Sequence, residues 1–177
     1  MVIWITGLSG SGKSTLCDAL YSLLKPTLPQ LVKLDGDEIR AAFGDDLGHA
    51  EADRQRQIRR IQGLSRVLAR QGMVVMVAAL YSHPDLLAWN RANLPGYFEI
   101  YVNAGLDLLA SRDPKGLYAK ARRGELPNVV GIDIPWYAPR TPDLTIDAAT
   151  APAPDMLAQQ VLRSLPPAMT APYLERT

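Results

Sequence analysis

Gly7-Leu8-Ser9-Gly10-Ser11-Gly12-Lys13-Ser14 is the stretch that decides the fold. It matches G-x-x-x-x-G-K-[ST] at every fixed position. Val2 to Ile5, just before it, is short, apolar and β-prone. After it, Leu16, Leu20, Leu23 and Leu24 form a helical stripe that stops before Pro26. A strand, a glycine-rich loop and a helix in that order are the setting in which such a loop wraps a phosphate. Glycines let successive N–H groups turn inward on an anion, and the new helix adds its positive N-terminal end. Lys13 is expected to reach the β- and γ-phosphates and the Ser14 hydroxyl to ligate Mg²⁺, with Gly7, Ser9 and Ser11 completing the cradle. The loop implies a nucleoside triphosphate; it does not say what is done with it.

Working outward, Leu31 to Leu34 reads as a second strand closed by Asp35-Gly36-Asp37. A long helix is expected from about Ala52 to Arg70, with Ile58, Ile61, Leu64 and Leu68 inward and Gly72 ending it. Met73 to Leu80 reads as a central parallel strand, apolar on both faces. Phe98 to Val102 and Leu144 to Ile146 read as further strands, and Leu106 to Ser111 and Met156 to Leu165 as helices. The alternation implies an α/β fold: a P-loop NTPase-type parallel β-sheet flanked by helices. Residues 1–165 are expected to form one kinase-sized domain with a mobile lid over about 112–134, and residues 166–177 a loosely held C-terminal tail.

At 177 residues and 47% hydrophobic, the chain can bury one core. Lys+Arg 19 against Asp+Glu 18 excludes a globally basic polyanion binder, so no nucleic acid partner is expected. The longest apolar run, Met73 to Leu80, is far short of a membrane span. A basic leader is absent before the first strand, and the single cysteine, Cys17, excludes an internal disulfide framework. A cytoplasmic enzyme without membrane contact is the expectation. Cys17 reads as packed in the first helix, although a helix N-terminus can lower a thiol's pKa.

Several triphosphate-using classes fall away. The chain lacks the Asn-Lys-x-Asp stretch of guanine-reading switches. The strand ending Ala78-Ala79-Leu80-Tyr81-Ser82 lacks the terminal acid with which motor ATPases hold Mg²⁺. The carboxylates stand instead after the second strand, at Asp35 and Asp37, and a parallel sheet puts them at the same edge as the phosphate loop. There a carboxylate can accept a hydroxyl proton during γ-phosphate transfer. Taken alone, Asp35-Gly36-Asp37 reads equally as a turn and helix cap. Arg54, Arg56, Arg59, Arg60, Arg66 and Arg70 share a span without Asp or Glu, so they repel one another unless some meet anions. Arg112, Lys115, Lys120, Arg122 and Arg123 lie among glycines that suit a flap closing over phosphates.

At this point the sequence resembles the adenylylsulfate kinases, which phosphorylate the ribose 3′-hydroxyl of adenylyl sulfate with Mg-ATP. The blocks that carry the resemblance are Trp4 to Thr15, Leu34-Asp35-Gly36-Asp37 with Arg40, Asp46-Leu47-Gly48 with Asp53-Arg54 and Ile58-Arg59-Arg60-Ile61, Arg112 to Tyr118, and Gly131-Ile132-Asp133 with Pro135. They are collinear through about Asp147. The resemblance implies that Gly10, Gly12, Lys13, Ser14 and Thr15 hold the ATP phosphates and Mg²⁺, with Arg112 packed near the ATP adenine. It implies that Asp35 is the base, with Asp37 the other catalytic acid. Asp37, Arg40, Arg54 and Arg59 would hold a small nucleotide acceptor, Lys115 would arrive from the flap, and the assembly would be a homodimer.

The departures gather on the acceptor side. His49 stands where the family has an aromatic residue, and Val129-Val130 where it has Phe-Thr. Gln57 replaces an Asn, and Tyr81-Ser82-His83-Pro84 replaces Ser-Pro-aromatic-Arg. These positions, His49, Gln57, Tyr81, Ser82, Val129 and Val130, are expected to border the acceptor. Two aromatics that sandwich adenine in the family are gone, a loss of about 1–3 kcal/mol per base contact. Another acceptor is therefore open, such as cytidine diphosphoramidate in capsule assembly, as is a non-catalytic nucleotide-binding protein.

Overall fold

In the computed structural model of the chain, residues 1–44, 46–113 and 116–167 are described. The order is β1 (Val2–Thr6), α1 (Lys13–Leu24), β2 (Leu31–Asp35), α2 (Gly36–Ala42), α3 (Glu51–Arg70), β3 (Val74–Ala79), α4 (Pro84–Asn93), β4 (Tyr97–Asn103), α5 (Leu106–Arg112), α6 (Leu117–Arg122), β5 (Leu144–Asp147) and α7 (Pro154–Ser164). The strands form one sheet in the order β2-β3-β1-β4-β5. All its pairings are parallel. The α/β expectation holds, and so do the positions of the five strands.

β1 sits between β3 and β4, with Val2 opposite both Val75 and Tyr97. Every residue of β1 is buried. That burial on two faces is why the strand is continuously apolar rather than alternating. The chain steps one way from β1 to β2 and the other way from β2 onward. Right-handed crossovers then put α1 on one face and α3 and α4 on the other. α1 turns Leu16, Cys17, Leu20 and Leu24 inward. α7 packs beside it through Ala158, Val161 and Leu162. α3 buries Ile58 and Ile61. This layering leaves the carboxyl ends of the strands open at one edge, where α/β sheets hold their ligands.

Three helices were not anticipated: α2, α4 and α6, the last lying within the stretch expected as a flap. α2 begins at Gly36, directly after the second strand. α4 buries only Leu86 and Asn90, so it carries no apolar period for the sequence to show. A polar seam holds it instead. Gln62 of α3 donates to the Leu86 carbonyl at 2.9 Å and to Asn90 Oδ1 at 2.7 Å. Asn90 donates onward to the Tyr97 hydroxyl at 3.3 Å, which donates to Glu99 at 2.7 Å. Burial pushes the Glu99 carboxyl up, against the pull of Tyr97 and Arg91. Among the described residues no helix is long and apolar enough to cross a membrane.

Leu20 is wholly buried between α1 and the sheet. Leu20→Ala is expected to lower stability by about 2–5 kcal/mol, read from the midpoint of urea unfolding, because the sheet leaves little room for the void to collapse.

Candidate active site

The phosphate loop is shaped by close approach. A Cβ on Gly7 would lie 2.6 Å from the Val102 carbonyl oxygen, so only glycine lets β1 turn into the loop beside β4. Gly12, with φ 98°, caps α1 in the left-handed conformation. The first amides of α1 are thereby left aimed at the loop's hollow. Lys13 reaches back to the Leu8 carbonyl at 3.5 Å. Ser11 Oγ is buried without a hydrogen-bond partner among the described residues.

Asp35 ends β2 and does two things. One carboxylate oxygen accepts the Asp37 amide at 2.9 Å, which caps α2. The other accepts the Ser14 hydroxyl at 3.2 Å. The cap reading and the catalytic reading of Asp35 are therefore compatible, because a carboxylate has oxygens for both. Gln57, almost fully buried, donates to the Gly36 carbonyl at 2.9 Å and fixes this turn from α3.

A cleft of about 330 Å³ opens between the loop and the acids. Ser9, Lys13 and Ser14 form one side, and Asp35, Gly36, Asp37, Ala78 and Leu80 the floor. Arg40, His49, Arg54, Val129 and Val130 face them, with Leu117, Leu126, Pro127 and Asn128 closing the rim. Arg40 donates to the carbonyls of Leu47 at 2.7 Å and Gly48 at 2.8 Å, and so holds the loop that carries His49. Burial lowers the His49 pKa, and the charges of Arg54 and Arg40 lower it further, which favours the neutral imidazole. Arg54 crosses to the far wall and donates to the Asn128 carbonyl at 2.7 Å. Its Nε is buried with no partner among the described residues.

A second cavity, of about 220 Å³, lies on the other side of the phosphate loop. Ser11, Gly12, Thr15 and Arg112 line it together with Ala148 and Pro152. Arg112 is held there by a bond to the Ala148 carbonyl at 3.2 Å. Residues 9–15 thus line both compartments, Ser9, Lys13 and Ser14 the first and Ser11, Gly12 and Thr15 the second. Tyr118, in the region read as a lid, donates to the Ser9 carbonyl at 2.8 Å and ties α6 to the loop.

Some expected site residues stand elsewhere. Tyr81 borders a small void of about 50 Å³ behind Asp37 and Arg54, and its hydroxyl is bonded to Glu51. Ser82 donates to the Tyr137 carbonyl at 2.6 Å and lines a separate groove on α4. Arg59 is exposed on α3 and lines none of these cavities. Lys115 lies outside the described residues. Cys17 is not activated by its helix terminus: burial raises the thiol to about 12. Leu126, Pro127 and Asn128 fall within the expected lid, but the sequence singles none of them out as a cleft residue.

Among the described residues no group of three or more His, Cys, Asp or Glu is placed to hold a metal. Ser14 Oγ beside the Asp35 carboxylate is an oxygen donor pair that fits Mg²⁺ arriving with phosphates.

The family model described as adenylylsulphate kinase matches residues 1–147. The adenylyl-sulfate kinase of Deinococcus deserti is 43% identical over 143 residues, covering 81% of this chain and 79% of that one. That of Geotalea uraniireducens is 46% identical over 149 residues, covering 83% and 72%. The structure of Mycobacterium tuberculosis APS kinase CysC in complex with AMPPNP and APS superposes with a TM-score of 0.82 at 36% identity, over 93% of this chain and 96% of that one. Shikimate kinase from Aquifex aeolicus, at 17% identity and a TM-score of 0.59, shares the fold alone. With the loop, the paired acids and the facing cleft in place along the matched residues, the chain belongs to the adenylylsulfate kinase family.

Proposed function

We propose that this chain transfers the γ-phosphate of ATP to the ribose 3′-hydroxyl of adenylyl sulfate. The observation that carries the reading is the Ser14–Asp35 contact, which joins the donor loop to the acceptor cleft. The donor's adenine takes the cavity beside Arg112 and its phosphates take the loop, whose amides and Lys13 balance their charge. Mg²⁺ would be held by Ser14 and Asp35 and would neutralise phosphate oxygens. The acceptor occupies the larger cleft, with its sugar at Asp35. As the hydroxyl oxygen bonds to the γ-phosphorus, the bond to the β-phosphate bridging oxygen breaks, ADP leaves, and Asp35 takes the proton. Asp37 lies on the same turn, and Arg54, at the cleft wall, offers its guanidinium charge to the acceptor's anhydride.

The names of the relatives favour adenylyl sulfate over cytidine diphosphoramidate. His49 and the valines give the adenine a neutral imidazole face and aliphatic contact in place of two rings. The rest is likewise proposed: one catalytic domain over residues 1–165, a lid over 112–134 that closes to exclude water, a cytoplasmic enzyme and a homodimer. Light scattering on the purified protein checks the last.

Coupled ADP-release assays test the reaction. ADP release is expected with adenylyl sulfate and none with cytidine diphosphoramidate; the reverse would reassign the acceptor. Lys13→Ala is expected to abolish turnover. Asp35→Asn is expected to keep ATP affinity while kcat falls about 10²–10⁴-fold. Paired His49→Phe and Val129→Phe substitutions are expected to lower the adenylyl sulfate KM by about tenfold, if the base lies between them.

A further inference from the structure

The acceptor wall is held by a device that the reaction scheme does not use. Asn128 has a left-handed backbone, φ 66°, the one positive φ outside glycine among the described residues. Both oxygens of Asp133 accept main-chain amides of that turn, from Asn128 at 2.5 Å and from Val129 at 2.5 Å. The Val129 carbonyl in turn accepts the amides of Ile132, Asp133 and Ile134 at 3.1, 3.1 and 3.2 Å. A closed turn results. It leaves the Asn128 carbonyl as the group facing Arg54, whose Nη2 donates to it at 2.7 Å. Burial works to raise the Asp133 carboxyl, but the Asn128 and Val129 amides and the Arg54 charge outweigh it and hold it below the usual range. Among the described residues no carboxylate is in hydrogen-bond contact with Arg54; Asp133 and Asp37 act on it through space.

We propose that Asp133 is the positioning residue for Arg54. Its carboxylate sets the Asn128–Val129 turn, and the turn's carbonyl fixes the guanidinium at the wall of the acceptor cleft. The carboxylate is needed rather than any polar group. It accepts from two converging N–H donors, whereas an amide of the same shape must turn its own NH₂ towards one of them. Without the clip, the same arginine swings among rotamers and the acceptor's anion must order it on binding.

The kinetic readout rests on the acceptor assignment above; a second readout does not. Asp133→Asn is expected to raise the acceptor KM by about tenfold, with ATP KM unchanged and kcat within about twofold. In an Arg54→Ala background the same substitution is expected to change acceptor KM by less than about twofold, because residues acting through one another are not additive. Independent, multiplying effects would overturn the proposal. In the ligand-free protein, Asp133→Asn is expected to speed hydrogen exchange of the Asn128 and Val129 amides and to move the Arg54 Nε–H resonance, with β1 amides unchanged. An unmoved Arg54 resonance would overturn the proposal. Wild-type protein inert towards adenylyl sulfate would discard the substrate alone, and the ligand-free spectra would still decide whether Asp133 holds Arg54.

Discussion

The hydrogen bond from Ser14 to Asp35 joins two parts of the chain that are 21 residues apart in sequence and that follow different strands. β1 and β2 are not neighbours; β3 lies between them. Their carboxyl ends come together only because all the strands run parallel and the loop after β1 folds back over the edge. Phosphate transfer needs the donor's γ-phosphate and the acceptor's hydroxyl within a few ångströms and in line. The sheet supplies that proximity before either substrate arrives. The turn at Asp35 is also pre-set, capped by its own carboxylate and pinned by the Gln57 side chain. A catalytic acid held this way needs little reorganisation during the reaction.

Where burial or phosphate geometry restricts residue type, the sequence is legible. β1 is apolar from Val2 to Ile5 because both faces are covered, and the loop must hold glycine where Gly7 passes the Val102 carbonyl. These constraints act on neighbours in the chain, so a local reading finds them. α4 escaped because its inward face is Leu86 and Asn90, held by amide hydrogen bonds rather than a stripe. α2 escaped because Asp35-Gly36-Asp37 satisfies turn chemistry as well as helix capping. Ser82 follows β3 at the open edge, yet its hydroxyl is drawn to the Tyr137 carbonyl, 55 residues away, which no local pattern records.

The acceptor side depends more on main-chain than on side-chain recognition. Arg40 spends its Nη1 on two carbonyls, Gln57 on a third and Arg54 Nη2 on a fourth. Each bond fixes a loop that lines the cleft. Side chains that look like substrate ligands in sequence thus serve as struts for the wall. This also explains how the cleft keeps its shape with His49 and two valines where larger rings would otherwise fill it. The loops are tied from beneath and do not rely on ring packing at their tips.

The arginine-rich face of α3 is partly neutralised by nearby acids. Six arginines in an acid-free span predict mutual repulsion, yet the chain supplies relief from just before that span. Arg60 takes a two-point bond to Asp46 and lies over the Phe43 ring, 4.2 Å from its centroid. Arg56 pairs with Asp53 at 3.2 Å. Arg54 is different: its bonded partner is a neutral carbonyl, Arg40 stands nearby, and burial disfavours its charge. A half-satisfied, partly buried cation costs free energy in the empty protein, and an anion entering beside it regains that cost. Holding Arg54 on a neutral carbonyl at the cleft, while Arg56 and Arg60 pair with acids, leaves its attraction for anions available where an acceptor phosphate would bind.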